Sequence, residues 1–207
     1  MTRSFAWNLA LAVLLTAGSQ AAFAEEGKAE DPPCHHEELA ADAPLEAESV
    51  YQVDSSWTRS DDKEFRLSQL RGKVRVAAIF FANCEYACPI LVAKMKKLQA
   101  SLPKEQRDRV GFLLVSMDVE RDDPAHLRAY AERMKLEGDW TLLHGNDADV
   151  RELAAVLGIR YRKEKDGSFS HSNMITVLDR EGRVAHRSIG LEGDPSEALA
   201  AVTGLLE

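Results

Sequence analysis

Cysteine is scarce in this chain, and its positive charges are outnumbered by negative ones. Three cysteines among 207 residues are too few for a scaffold held together by disulfides. The 26 lysines and arginines face 34 aspartates and glutamates, so the formal net charge is −8. Because binding to nucleic-acid phosphates needs a basic face, this balance argues against a nucleic-acid partner. The hydrophobic share of 45% and the charged share of 29% exclude collagen, a coiled coil and a wholly disordered chain.

Long apolar runs are also missing, and the run near the amino terminus is short. Arg3 precedes an apolar stretch at 8–17, whereas a bilayer span needs about 20 residues. Ala22-Phe23-Ala24 follows with the small-x-small pattern of a cleavage site. Residues 1–24 are therefore predicted to be a secretory signal peptide that is cleaved after Ala24. We expect the rest of the chain to lie in a bacterial periplasm and to meet a membrane only through a partner.

Composition divides the remaining chain into a tail and a domain. Residues 25–49 are rich in Glu, Ala, Asp and Pro and lack sustained periodicity, which predicts a flexible acidic tail. This tail contains Cys34-His35-His36, whose thiol and imidazoles are either an auxiliary metal-capturing cluster or part of a segment with no fixed function. Residues 50–207 are predicted to form one compact domain.

The apolar patterns within residues 50–207 predict an α/β fold. Continuous or alternating apolar residues predict strands at 74–81, 110–117, 140–143, 174–178 and 183–189. Helical spacing and end signals predict helices at 89–98, 124–134, 147–157 and 195–206, with Asp122-Asp123 capping the second of them. The Asp166-Gly167 turn predicts a hairpin across 161–170. This order predicts a central mixed sheet with flanking helices and a hairpin insertion.

The chemically informative residues are Cys84 and Cys88, four positions apart at the carboxyl end of the first buried strand. Ligands bind at that end of open α/β sheets. A helical turn brings both sulfurs to one face, where they can form a disulfide or hold a soft metal ion. A thioredoxin-type reductase has Cys-x-x-Cys and a proline before the penultimate strand. This chain has one more residue between its cysteines and carries His171 near that strand entrance.

His171 is predicted to face the two cysteines, because the entrance to its strand lies beside the first strand–helix turn. Two thiolates and one imidazole suit Cu(I), and with a further ligand they suit Cu(II). A structural zinc site prefers four protein ligands. Met174 is an outside candidate for a fourth ligand, although a packing role in the core explains it more simply.

These residues resemble the Sco/SenC copper proteins. Cys84-Glu85-Tyr86-Ala87-Cys88-Pro89 matches the Cys-x-x-x-Cys-Pro motif of that family, and His171 and three further segments also match, at 70–74, 116–124 and 178–182. The resemblance implies a thioredoxin-like fold, copper bound by Cys84, Cys88 and His171, and a role in loading the binuclear copper site of cytochrome c oxidase. Asp118 lies where the family has an acidic residue near the copper loop. Glu85 replaces the proline that often follows the first cysteine.

The leading hypothesis is a periplasmic copper metallochaperone, not an enzyme, that delivers Cu(I) or Cu(II) to a respiratory copper enzyme. Oxidation of Cys84 and Cys88 to a disulfide would expel the metal. The alternative is a thiol–disulfide oxidoreductase that keeps the copper-ligand cysteines of a partner reduced, which needs the cysteines but not His171. A third class, an interaction module that uses the fold only as a scaffold, needs none of the three residues.

Overall fold

The computed structural model describes residues 49–207. The predicted signal peptide, residues 25–48 of the predicted tail and the Cys34-His35-His36 cluster lie outside the described residues. Ser49, the last residue assigned to the tail, is buried, and its hydroxyl accepts a hydrogen bond from the Tyr51 amide at 3.1 Å. Between residues 49 and 207, no helix has both the length and the apolar character that a bilayer span requires.

Nine strands and four α-helices follow one another along the described residues. In chain order the strands are β1 Trp57–Arg59, β2 Glu64–Phe65, β3 Val74–Phe80, β4 Val110–Ser116, β5 Trp140–His144, β6 Tyr161–Lys163, β7 Phe169–His171, β8 Met174–Leu178 and β9 Val184–Ile189. The helices are α1 Ala87–Ser101, α2 Pro124–Met134, α3 Asp147–Leu157 and α4 Ser196–Gly204. Short 3₁₀ helices lie at Val50–Gln52, Leu67–Leu70 and Lys104–Arg109.

Seven of the strands form one mixed sheet, in the order β2-β1-β5-β4-β3-β8-β9. The central strands β3, β4 and β5 are parallel, whereas β1, β8 and β9 each run antiparallel to a neighbour. Every residue of β3 and β4 is buried, as expected for strands covered on both faces. Strands β6 and β7 form a separate hairpin sheet. The predicted mixed sheet with flanking helices and a hairpin insertion is confirmed.

The sequence patterns missed the first two strands and the start of α1. Strands β1 and β2 have three and two residues, too few for an alternating pattern to be recognised. Strand β1 is anchored by Trp57, which is 1% exposed and donates its indole N–H to the Ser55 hydroxyl at 2.7 Å. Helix α1 begins at Ala87, before Pro89, because a proline in the first turn costs no internal hydrogen bond. Cys88 is therefore a helical residue.

Asp122 ties the carboxyl ends of β3 and β4 together beneath the cysteine segment. One oxygen of its carboxyl group accepts hydrogen bonds from the Ala82 amide at 2.7 Å and from the Ser116 hydroxyl at 2.5 Å. Burial raises the pKa of this carboxyl group, while the two hydrogen bonds act in the opposite direction. Asp123 caps α2 as predicted, by accepting from the His126 amide at 2.7 Å. The prediction that Asp122 also belongs to the cap was wrong, because its side chain turns inward.

We expect Gly145→Ala to lower the free energy of unfolding. A Cβ atom at Gly145 would lie 2.5 Å from a ring carbon of Trp57, so β1 and its tryptophan would have to shift. Overpacking of this kind costs about 1–3 kcal/mol, which urea denaturation monitored by tryptophan fluorescence measures. Gly204→Ala is the matched control, because a Cβ atom there meets open space in α4. Equal stability of the two variants would contradict this packing of β1.

Two substitutions of Asp122 are expected to differ in their effect on stability. Asp122→Ala leaves the buried Ala82 amide without its acceptor and should lower the free energy of unfolding by about 1–3 kcal/mol. Asp122→Asn keeps an acceptor oxygen and should cost less. Because the folded-state pKa of Asp122 is raised, wild-type stability relative to Asp122→Asn should fall as pH rises through that pKa. Urea denaturation of reduced protein over a pH series measures this difference, and a pH-independent difference contradicts it.

Candidate metal centre

The two cysteines flank the turn from β3 into α1, but only one of them is helical. The Cys84 amide donates to the Phe81 carbonyl at 3.2 Å, which closes the turn after β3. Cys88 lies in the first turn of α1, and its amide donates to the Cys84 sulfur at 3.3 Å. The predicted helical turn through both cysteines is therefore replaced by a cap, in which the Cys84 sulfur satisfies a free amide at the helix start. This cap brings the Cys84 sulfur beside the Cys88 backbone.

The two thiols differ in their exposure to solvent. Both are free thiols, with Cys84 partly exposed and Cys88 0% exposed. Burial raises the pKa of the Cys88 thiol, and the neighbouring Cys84 sulfur raises it further. Cys88 is consequently a protonated thiol at neutral pH. A metal ion that binds its sulfur must displace that proton, so metal affinity at this position depends on pH.

His171 is the last residue of β7, and its side chain extends toward Cys88. Its Nε2 atom lies 4.0 Å from the Cys88 sulfur, and its Nδ1 atom lies 3.2 Å from the Ser172 carbonyl oxygen. Donation to that carbonyl places the ring proton on Nδ1 and leaves the lone pair of Nε2 on the side of Cys88. Burial lowers the pKa of the imidazole, which keeps the ring in the neutral form that metal binding requires. The centroids of the Phe81 and His171 rings lie 6.2 Å apart, with the two ring planes nearly perpendicular.

The spacing of Cys88 and His171 fits a shared metal ion. Metal–thiolate and metal–imidazole bonds of about 2.3 and 2.0 Å add up to slightly more than the observed 4.0 Å between sulfur and nitrogen. One ion could therefore contact both atoms. In the conformation described for residues 49–207, no three His, Cys, Asp or Glu side chains stand together at metal-binding distances. Cys88 and His171 are thus one close pair of donors, and the Cys84 sulfur lies 3.3 Å from the Cys88 amide nitrogen.

Other residues singled out in the sequence take different places. Asp118 is 1% exposed and pairs with the guanidinium of Arg121. Met174 is buried in the hydrophobic core, which confirms the packing role predicted for it.

Two residues of α2 support the cysteine turn without a sequence signal. Arg133 donates to the Ala82 carbonyl at 3.0 Å, and its guanidinium lies 5.1 Å from the Tyr130 ring. Burial raises the pKa of the Tyr130 hydroxyl, and the two cysteine sulfurs near it raise the pKa further. No local pattern in the sequence could find these residues, because only the packing of α2 brings them under the turn.

Known proteins share both this sequence pattern and this fold. The SCO1/SenC family model matches residues 46–207. A SCO1 protein homolog from Bacillus subtilis (strain 168) is 30% identical over 154 residues, which are 72% of this chain and 79% of the relative. The solved SCO1/SenC family lipoprotein from Bacillus anthracis str. Ames is 29% identical with a TM-score of 0.67, covering 73% of this chain and 92% of that protein.

A more distant structure, Arabidopsis thaliana ScoI with copper bound, shares the fold at 22% identity. Its TM-score is 0.61, and the match covers 73% of this chain and 95% of that protein. The family model spans the whole described part of the chain, and the curated relative and the solved structures agree with it. The chain therefore has a thioredoxin-like fold and belongs to the SCO1/SenC family.

Proposed function

We propose that this protein binds one copper ion through Cys84, Cys88 and His171 and delivers it to another copper protein. The observation that carries the proposal is the 4.0 Å approach of His171 Nε2 to the Cys88 sulfur from 83 residues away in sequence. Two sulfur donors and one nitrogen donor suit Cu(I), and a further ligand from the recipient or from solvent suits Cu(II). The copper-bound Arabidopsis relative supports this choice of metal.

The exposure of the site is consistent with delivery rather than permanent retention. Cys84 is partly exposed at the rim, so an incoming ligand of the recipient can reach the ion beside it. We propose the binuclear copper site of cytochrome c oxidase as the recipient, on the resemblance of the cysteine motif to the Sco/SenC pattern. The predicted signal peptide supports a location outside the cytoplasm.

We expect His171→Ala to weaken Cu(II) binding by more than about tenfold, because it removes a ligand atom rather than an outer partner. Titration of the reduced protein with Cu(II), followed by the sulfur-to-copper charge-transfer band and by electron spin resonance, measures the affinity. His186→Ala is the matched control, since His186 lies on β9 and bonds to the Ser188 hydroxyl at 3.0 Å. Wild-type affinity in His171→Ala, with native circular dichroism, would rule out the proposed ligand set.

A second candidate function is thiol–disulfide exchange, which the unequal exposure of the two cysteines favours. The Cys84 thiolate would attack a partner disulfide and form a mixed disulfide, releasing one partner thiol. Cys88 would then displace the second partner thiol and close the Cys84–Cys88 disulfide. Two electrons and two protons pass to the partner, whose copper-ligand cysteines become reduced. His171 takes no part in these steps.

The exchange function can be tested with a disulfide-bonded peptide that carries two copper-ligand cysteines. If exchange is the function, the reduced protein reduces this peptide. Cys84→Ser then abolishes the reaction, and His171→Ala retains the full rate. Thiol release, followed by absorbance, measures the rate. Cys34→Ser is the control that removes the remaining thiol of the chain. Loss of the reaction in Cys34→Ser, or its persistence in Cys84→Ser, would contradict the exchange mechanism.

A further inference from the structure

The hairpin β6–β7 carries His171 but stands apart from the main sheet. Its two strands pair with each other, and their residues are partly or fully exposed. A groove of about 360 Å³ lies between the hairpin, the start of α3 and the loop that follows β4. The distance from His171 to the cysteines therefore depends on the contacts that hold this hairpin in place.

The two strands of the hairpin are held by aromatic contacts. The Phe169 ring lies 5.2 Å from the Phe81 ring, which belongs to the turn after β3. The Tyr161 ring lies 6.3 Å from Phe169, and the Arg151 guanidinium of α3 lies 5.2 Å from Tyr161. Tyr161 pairs with His171, and Phe169 pairs with Lys163 beside the turn, so these contacts hold the two strands but none of the turn residues 164–168. The turn therefore needs an attachment of its own if the hairpin is to keep one position.

Arg121 provides that second attachment. Its Nη2 atom donates to the Gly167 carbonyl at 2.6 Å, in the turn of the hairpin, and its Nε atom donates to the Asp118 carboxylate. Asp118 is itself fixed, because its amide donates to the Ser116 hydroxyl at 3.0 Å at the end of β4. One planar guanidinium thus joins the hairpin turn to the central sheet through two separate nitrogen atoms.

A weaker contact lies beside this one. Lys163 of β6 pairs with Glu120 at 2.6 Å, but their side chains are 39% and 71% exposed. Exposed ion pairs contribute little, because water screens them and ordering their side chains costs entropy. The Asp118 side chain of the Arg121 pair is 1% exposed, so that contact is far less screened. The Arg121 bridge is therefore the stronger attachment of the hairpin turn.

We infer that Arg121 is a positioning residue for His171: it holds the hairpin turn so that the imidazole stays at bridging distance from Cys88. This inference rests on the proposed function, in which His171 is a copper ligand. Without the bridge, the turn and the strand β7 that follows it vary more in position relative to the central sheet. Copper binding must then reorder the hairpin, and affinity falls although no ligand atom has changed.

The first test compares Arg121→Gln with Arg128→Gln in the full chain. Arg128 is a matched control, because it also loses one charge and one ion pair and its side chain is 47% exposed against 45% for Arg121. We expect Arg121→Gln to lower Cu(II) affinity about tenfold and to change the nitrogen hyperfine coupling in electron spin resonance. Arg121→Lys keeps the charge but cannot hold Asp118 and Gly167 together, so its affinity should be intermediate. Equal affinity in Arg121→Gln and Arg128→Gln overturns the inference.

The second test separates positioning from stability. Arg121→Gln leaves the buried Asp118 carboxylate without its cation, so the variant should also melt at a lower temperature. The double variant Asp118→Asn/Arg121→Gln removes that buried charge without restoring the contact with Gly167. We expect its melting temperature to recover and its copper affinity to stay low. Recovery of both would show that Arg121 supports only the stability of the fold, and the inference would be wrong.

The attachment of the hairpin can also be tested in the metal-free protein. Amide hydrogen exchange at residues 167–171 should be faster in Arg121→Gln than in Arg128→Gln, because the hairpin turn has lost its attachment. Unchanged exchange overturns the inference whatever the copper results. If His171→Ala binds copper like the wild type, the proposed function fails. If His171→Ala binds weakly while Arg121→Gln matches Arg128→Gln, only the positioning role fails.

Discussion

The pairing of β8 with β3 is the constraint on which the metal centre depends. Because the two strands are antiparallel, with Arg75 opposite Leu178 and Ala77 opposite Thr176, the start of β8 lies beside the carboxyl end of β3. The cysteines follow β3, and His171 precedes β8. This register brings the segment that carries His171 to the carboxyl end of β3, and the attachments of the hairpin set the remaining distance to Cys88. The site is therefore assembled by contacts between elements rather than by contacts between the donors themselves.

Burial sets the chemical state of the donors before any metal arrives. The raised pKa of Cys88 and the lowered pKa of His171 have the same main cause, which is burial. Burial disfavours the charged form of each group, the thiolate and the imidazolium. The metal-free site thus holds a neutral thiol and a neutral imidazole and avoids an unpaired buried charge. In the proposed site, copper supplies the positive charge that makes a buried thiolate favourable, so metal binding and loss of the Cys88 proton are coupled.

The third donor sits on a different kind of element from the other two. Cys84 and Cys88 are held by the buried end of β3 and by the first turn of α1, where Asp122 and Arg133 bind the Ala82 backbone. His171 lies on a hairpin outside the main sheet, and aromatic rings and the guanidinium groups of Arg121 and Arg151 attach this hairpin to the core. A site built in this way can keep its two sulfurs in place while the imidazole changes its distance. That division suits the proposed binding and release of copper.

Continuous apolar runs in the sequence predicted β3 and β4. The cysteine pair Cys84 and Cys88 and the Asp166-Gly167 turn could also be identified from the sequence, because each is a local pattern. Strands β1 and β2 could not, since five residues carry too little periodicity and the pairing of β1 with β5 is a long-range contact. Asp122 looked like a helix cap, and only the folded chain shows it turned toward Ala82. Residue types and spacing thus determined which atoms can bind a soft metal. The distance between Cys88 and His171 was decided by tertiary structure, because strand pairing and burial act between segments that no local pattern connects.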